Sequence, residues 1–168
     1  MRFIYSILIF LSFYSVQAQP ISITQLEVDK LANPLGLDGG NPDFSWIIKS
    51  DDFNINQTHY QLFVATDKVF SKKSLVWDSG KVNSSESVYV KYQGQSLEYA
   101  TKYYWTVKVW TNQSSRPKQS KIGSWTSGLM GKEQWKSDWI GVKKEDKNNP
   151  KSPYFTNDFV LGGKIKSA

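Results

Sequence analysis

Residues 97–110 read LEYATKYYWTVKVW, and the architecture of the protein can be worked out from them. From position 103 onward, two interleaved sets of side chains alternate along the segment. Alternation with a period of two puts successive side chains on opposite faces of a β-strand. We therefore predict a long, half-buried strand, with an inward set of Tyr103, Trp105, Val107 and Val109 and an outward set of Tyr104, Thr106, Lys108 and Trp110.

Similar short alternating runs lie on both sides of this strand. Before it they occupy 21–28, 44–49, 60–65 and 86–92, and after it 124–128. One segment, DKVFSKKSLV at 67–76, is compatible with a helical turn or two. About seven short strands within roughly 110 residues predict an all-β chain that folds as a two-sheet sandwich.

Three residues of the quoted segment are spaced as in a tyrosine corner, which opens strand F of fibronectin type III and related sandwiches. They are Leu97, Thr101 and Tyr103. We expect the Tyr103 hydroxyl to bond a backbone group near Leu97 while its ring fills the core edge; a plain core tyrosine is the alternative. Trp46 is the matching core aromatic, and alternation assigns Trp105 to the core as well. The predicted fold is an immunoglobulin-like, fibronectin type III-like β-sandwich.

The composition limits the chemistry that the chain can carry. Cysteine is absent, which excludes a disulfide framework, a cysteine-ligated metal site and a thiol nucleophile. His59 is the only histidine, so we expect neither a histidine-rich metal site nor a histidine-dependent triad. We predict no cofactor. The 168 residues are 39% hydrophobic and 21% charged, which is enough apolar material for a folded core.

The formal net charge is +6, and lysine supplies nearly all of the positive charge. Only Arg2 and Arg116 are arginine, the residue that nucleic-acid readers commonly use for phosphate and guanine contacts. The lysines are scattered among Ser, Asn and Asp. We interpret them as a solvated surface and expect no nucleic-acid partner.

The N-terminus, Met1 to Ala18, has the features of a secretory signal peptide. Arg2 supplies a positive start, residues 3–16 are largely apolar, and Val16-Gln17-Ala18 places small residues at a cleavage site. The apolar run is shorter than the roughly 20 residues of a membrane span, which favours a cleaved signal peptide. An uncleaved membrane anchor is the alternative. We predict an exported protein, periplasmic or extracellular in a bacterium, with no membrane span in the mature chain.

The composition changes after the sandwich, which we place at 20–130. Residues 131–152 are rich in Lys, Asn, Asp, Ser and Pro, as in a linker. The segment SPYFTNDFVL at 152–161 is strand-like, and we predict that 153–168 begins a truncated second β-domain. Because a lone strand has too little partner surface to be stable, we expect the chain to be the front end of a longer protein.

Six pieces of the sequence, in order and with their spacing, identify a resemblance to a known family. They are NPLGLDGGNPDFSW (33–46), YQLFVAT (60–66), LVWDSGKV (75–82), YYWTVKVW (103–110), SWTSGL (124–129) and WKSDWIG (135–141). Together they resemble the N-terminal fibronectin type III-like domain of bacterial α-L-rhamnosidases of glycoside hydrolase family 78. The resemblance covers about 20–168, nearly all of the predicted mature chain.

The resemblance implies an accessory role. In that family the sandwich precedes further β-domains and an (α/α)6 barrel, whose carboxylates hydrolyse terminal α-L-rhamnose with inversion. Inversion requires one carboxyl as acid and another as base on opposite faces of the sugar. This chain does not contain the barrel, so the resemblance assigns no catalytic residue here. The expected partners are downstream domains of the same polypeptide and rhamnose-containing glycans.

Several aromatic residues are candidates for contact with sugar or with neighbouring domains. Exposed apolar side chains commonly mark contact surfaces. The candidates that we expect to face outward or to lie in loops are Trp77, Tyr104, Trp110 and Trp125, and the pair that flanks the linker is Trp135 and Trp139. An alternative function is a stand-alone carbohydrate-binding or cell-surface interaction module, because one fold hosts many roles.

Overall fold

Nine β-strands and no helix form in the part of the chain that the structure describes. A computed structural model describes residues 21–129, 135–138, 140, 154–158, 160 and 162–164. The predicted leader, Trp139 and most of the predicted linker lie outside these residues. The strands are β1 (Ser22–Val28), β2 (Asp43–Lys49), β3 (Gln57–Ala65), β4 (Leu75–Asp78), β5 (Val82–Asn83), β6 (Val90–Lys91), β7 (Lys102–Thr111), β8 (Ser114–Gln119) and β9 (Gly123–Thr126).

The strands pair into two antiparallel sheets. The small sheet has the order β1–β2–β6, and the large sheet has the order β4–β3–β7–β8, with β5 also paired to β3 and β9 to β7. One hydrophobic core draws side chains from both sheets. The prediction of an all-β sandwich is therefore confirmed.

The structure has more strands than the seven or so that alternation predicts. One strand outside the predicted runs, β5, pairs over only two residues. Another, β8, has the sequence SSRPKQ and every one of its side chains is exposed. An edge strand with two solvated faces carries no hydrophobic alternation, so the pattern has no means of revealing it.

Large aromatic rings fill the centre of the core. The ring centroid of Phe44 on β2 lies 4.8 Å from that of Trp105 on β7 and 5.6 Å from that of Trp125 on β9. All three residues are at most 2% exposed. Buried aromatic side chains of this size dominate core energetics, so these contacts hold the two sheets together without a disulfide.

The polar atom of a fourth buried ring, that of Trp46, is satisfied by Gln57 at the start of β3. Trp46 Nε1 donates to Gln57 Oε1 at 2.9 Å. Gln57 Nε2 in turn donates to the backbone carbonyls of Ser84 and Glu86, at 3.1 and 2.7 Å. Since an unpaired buried polar group is costly, this one side chain removes the penalty of burying the indole and fixes the 84–86 connection.

The tyrosine-corner spacing produces the hydrogen bond that it predicts. The Glu98 backbone N–H donates to the Tyr103 hydroxyl at 2.7 Å. Leu97 is buried beside it. Ser127 completes the corner, because its hydroxyl donates to the Glu98 carbonyl at 2.6 Å and accepts from the Thr101 N–H at 3.0 Å. The connection before β7 is thereby tied to the end of β9.

The Gly- and Pro-rich loop after β1 is also tied to β9. The Leu37 N–H donates to the Thr126 carbonyl at 2.9 Å, and the Gly128 N–H donates to the Leu37 carbonyl at 2.7 Å. The Thr126 N–H donates to the Pro34 carbonyl at 3.0 Å. A positive φ of 68° at Gly36 allows the turn, because glycine lacks the Cβ that would clash there.

Two segments differ from the sequence predictions within the sandwich. Residues 67–74 contain turns and no helix, with Asp67 Oδ1 accepting the N–H groups of Val69 and Phe70. Leu75 and Val76 already belong to β4. In 86–92 only Val90–Lys91 is a strand. A φ of 56° at Tyr89 interrupts the extended backbone, and Val88, which alternation places in a strand, is half exposed. Local pattern alone cannot detect this break in the strand.

Contacts along the chain separate two units, Met1–Gln134 and Trp135–Ala168. In the second unit, the described residues 154–158 and 160 form no strand, which differs from the prediction for 152–161. A strand needs a hydrogen-bonded neighbour, and none is assigned to these residues. The linker boundaries and the truncated second domain stay predictions.

Candidate functional site

The outer face of the large sheet gathers aromatic and polar side chains from β3 and β7. The register puts Phe63 opposite Thr106, Gln61 opposite Lys108 and His59 opposite Trp110. Because neighbouring residues of a strand point to opposite sides, the outward set of β7 shares this face with them. Tyr104, the first member of that outward set, lies opposite Ala65.

Lysine ammonium groups cover every large ring that the register places on this face. Lys81 Nζ lies 4.7 Å from the centroid of the Trp110 ring, and Lys108 Nζ lies 4.9 Å from that of Phe63. Two ammonium groups flank Tyr104, those of Lys68 at 5.7 Å and Lys102 at 5.8 Å. Each such contact is worth about 0.5–1 kcal/mol at an exposed site. We call these seven residues the lysine–aromatic face.

Amide groups lie among these rings. Gln61 Nε2 donates to Asp78 Oδ1 at 2.7 Å, and Gln119 Nε2 donates to the Thr106 hydroxyl at 3.4 Å. Thr106 itself, which alternation places in the outward set, is buried and bonded to Ser120. Among the described side chains that the register and these contacts place here, Asp78 is the one carboxylate against four ammonium groups. The face therefore has a positive balance.

An open hollow of about 460 Å³ lies at the Trp110 end of the face. Its lining includes His59, Lys81, Asn112 and Ser115 beside the indole. Aromatic, hydroxyl and amide groups around one hollow are the kinds of group that orient polar ligands. The described residues thus form a surface suited to binding, although they hold no cluster of three His, Cys, Asp or Glu side chains able to bind a metal.

The family model described as "Rha78A-like, N-terminal immunoglobulin domain" matches residues 23–131. The chain belongs to this family.

Several known proteins contain a segment similar to this chain. An α-L-rhamnosidase of Formosa agariphila is 33% identical over 157 residues, which cover 88% of this chain and 16% of the relative. The crystal structure of Streptomyces avermitilis α-L-rhamnosidase complexed with L-rhamnose matches with a TM-score of 0.69 at 37% identity, covering 73% of this chain and 12% of that one. An α-L-rhamnosidase from Dictyoglumus thermophilum matches with a TM-score of 0.68 at 38% identity, covering 73% and 14%. The chain spans less than a fifth of each of these proteins.

Two of the outward aromatics predicted from the sequence lie on the surface of the Rha78A-like domain. Tyr104 and Trp110 are half-buried members of the lysine–aromatic face. Phe63 joins them, although it is not among the candidates predicted from the sequence. Its signal was present, because the alternation of 60–65 assigns Tyr60, Leu62 and Val64 to the core and hence Phe63 to the outside.

Trp125 and Trp77, expected to face outward or to lie in loops, instead lie in strands, with Trp125 buried and Trp77 half-buried. Trp125 is 2% exposed, and its ring stacks on that of Tyr103 with centroids 5.1 Å apart. Trp77 pairs with Val64 in the sheet and packs against the core, its ring 5.0 Å from that of Tyr92. Both lie in four-residue strands, and so few residues do not show which of the two alternating sets is apolar.

The remaining two candidates lie outside the sandwich. Trp135 belongs to the second unit and is exposed, at 54%. Trp139 lies outside the described residues.

A second concavity of about 460 Å³ lies between β5 and β6. Trp77, Tyr60, Glu86 and Lys91 are among its lining residues. Burial raises the pKa of the Tyr60 hydroxyl, and the Glu86 carboxylate raises it further. Tyr60 therefore stays protonated here, as a hydrogen-bonding group and not a base.

Among the described residues, no helix has the length and apolar character needed to cross a membrane.

Proposed function

We propose that this chain is the N-terminal accessory domain of an exported α-L-rhamnosidase, and that it braces the larger enzyme. The observation that carries the proposal is the family match over residues 23–131. The relatives that carry the same domain are named α-L-rhamnosidases, and the matched part makes up only 12–16% of them. The structure of the domain fits a bracing role, because its aromatic side chains pack into one hydrophobic core within the sandwich.

The hydrolysis itself belongs to another part of the longer protein in this proposal. Glycoside hydrolysis by inversion requires two carboxyl groups that flank the bond, about 6.5–9.5 Å apart. We assign that pair to a domain that follows the sandwich. In this proposal, the chain supports the folding of the longer protein and provides a surface for contact with its other domains.

The experiment that tests the accessory role compares two proteins on an aryl α-L-rhamnoside. One is the 168-residue chain, and the other is the product of the reading frame extended past codon 168. We expect hydrolysis from the longer protein alone. Rhamnoside release by the 168-residue chain would contradict the proposal, as would a stop codon directly after Ala168 with the short product accumulating in cells.

Export to the periplasm or exterior is part of the proposal. The support is the leader-like sequence from Met1 to Ala18. We expect the N-terminal residue of the protein recovered outside the cytoplasm to be Gln19. Intact Met1 on a cytoplasmic product would exclude export, and intact Met1 on a membrane-bound product would favour an anchor.

A second candidate function is carbohydrate binding, and the lysine–aromatic face favours it. Aromatic rings beside amide and hydroxyl groups present the apolar and polar contacts that sugars need. Trp110→Ala removes the largest ring of the face and should weaken glycan binding by the 168-residue chain. Binding that is unchanged in this variant would leave interdomain bracing as the role of the face.

A further inference from the structure

We propose that the lysine–aromatic face binds an acidic polysaccharide, one whose sugars carry carboxylate or sulfate groups. Each aromatic ring of this face already has a cationic neighbour. Phe63, Tyr104 and Trp110 each have at least one ammonium group within 5.8 Å of the ring centroid. A neutral sugar that stacks on such a ring must displace the lysine, and it has no charge with which to pair the ammonium group.

An acidic sugar meets a different situation. Its charged group accepts hydrogen bonds from the ammonium group that already lies beside the ring. The lysine stem keeps its apolar contact while the charged end turns to the ligand. The same arrangement therefore favours a sugar that carries a negative charge over a neutral one.

The length of the face suits a chain of sugars. Tyr104 and Trp110 are six residues apart on one strand, which corresponds to about 20 Å. Lys108 and Phe63 lie between them along the sheet. Positive charges and rings thus follow one line, as an extended polymer requires.

Charge complementarity identifies the occupant as an anion. Four ammonium groups oppose one carboxylate, Asp78, among the described side chains assigned to the face. The choice of a polysaccharide over another polyanion rests on the proposed function. Nucleic acid is the competing occupant and is included in the test.

The experiment is affinity electrophoresis of the 168-residue chain in gels that contain polygalacturonate, dextran sulfate, neutral dextran or single-stranded DNA. We expect retardation by the first or the second polymer, and the two together show whether carboxylate or sulfate is preferred. Retardation should weaken as salt is added, because exposed charges are screened within about 10 Å at moderate ionic strength. Neutral dextran should leave mobility unchanged.

Matched variants locate the binding surface. The double variant Lys81→Ala/Lys108→Ala should raise the dissociation constant about tenfold, as expected for two exposed charge contacts. The control Lys49→Ala/Lys121→Ala removes the same charge from exposed positions outside the face and should bind as the parent does. Thermal unfolding of both variants shows whether they remain folded.

Three results would overturn the inference. They are equal loss of binding in the two double variants, equal retardation by neutral and acidic polymers, and stronger retardation by DNA than by either acidic polysaccharide. These results leave the proposed function untouched, because rhamnoside hydrolysis by the longer protein is measured separately. If the longer protein fails to hydrolyse the rhamnoside, the electrophoresis still tests whether the face binds an acidic polysaccharide.

Discussion

The hydroxyl of Tyr103 accepts a hydrogen bond of 2.7 Å from the backbone N–H of Glu98, five residues earlier in the chain. The Ser127 hydroxyl donates to the carbonyl of the same residue. Both backbone polar groups of Glu98 are therefore held by side chains, one on β7 and the other directly after β9. The corner lies where the polypeptide leaves the sandwich after β9, so it fastens the exit as well as the entry to β7.

Removing this hydroxyl should destabilise the domain. In Tyr103→Phe the ring stays in the core while the Glu98 N–H loses its partner, and we expect a loss of about 1–2 kcal/mol in the free energy of unfolding. Urea denaturation followed by tryptophan fluorescence measures it. The control Tyr104→Phe removes a hydroxyl from the outward side of the same strand and should cost less than about 0.5 kcal/mol. Equal effects would show that the corner has no special role.

Gln57 should be one of the most sensitive polar positions. Gln57→Ala removes the acceptor of the buried Trp46 indole and the donor to two backbone carbonyls. We expect a loss of about 3 kcal/mol, since a buried polar group without a partner costs about 1–3 kcal/mol. Gln61→Ala, at an outward position of the same strand, is the control and should change stability little. A small effect at Gln57 would mean that water replaces its contacts.

Gly128 should not tolerate a side chain. A Cβ there would lie 2.5 Å from Asp38 Oδ1 and 3.0 Å from the Gly36 carbonyl oxygen. Gly128→Ala is expected to cost about 1–3 kcal/mol, because the 33–43 loop must move away from the end of β9. Gly40→Ala places its Cβ in open space and serves as the control. Similar melting temperatures for the two variants would refute the close packing.

Stability should fall at alkaline pH because of buried tyrosine. Burial raises the pKa of Tyr92 to about 12, with Tyr103 nearby adding to the rise, whereas an unfolded tyrosine titrates near 10. The folded state holds this proton more tightly, so its contribution is complete below pH 10 and is lost as pH rises towards about 12. Urea midpoints measured across this range should decline.

A variant isolates the contribution of Tyr92. Tyr92→Phe cannot ionise at this position, so its stability should decline less steeply above pH 10. It also loses the hydrogen bond from the hydroxyl to the Gln95 carbonyl, and its stability at neutral pH should be lower. An unchanged pH dependence would assign the alkaline loss to Tyr60 or Tyr103, whose pKa values are also raised by burial.

Much of the fold follows from local pattern. Alternation correctly assigns Trp46, Trp105 and Tyr103 to the core, because each lies in a run long enough to show which set is apolar. The expectation that Trp125 and Trp77 face outward or lie in loops fails, because both lie in four-residue strands beside exposed and half-exposed neighbours. A bulge at Val64 and Ala65 shifts the register next to Trp77, and no single strand records such a shift.

The candidate surface is less visible in the sequence than the core. The sequence predicts that the rings of Tyr104 and Trp110 face outward. It does not predict which lysine side chains lie over them. Lys81 comes from the connection between β4 and β5, and it reaches the Trp110 ring across the sheet. In the linear sequence it is one lysine among many, so the interpretation of the lysines as a solvated surface has no means of singling it out.

The amino-acid sequence by itself determined the all-β sandwich, the tyrosine corner and the resemblance to a rhamnosidase N-terminal domain. The strands and the tyrosine corner depend on side chains close together in the chain, and the resemblance depends on the order and spacing of short pieces, all of which are visible in the linear sequence. The tertiary structure alone decided which tryptophans are buried and which rings carry a lysine. Those outcomes depend on the register between strands distant in sequence, and register is set by packing across the whole core.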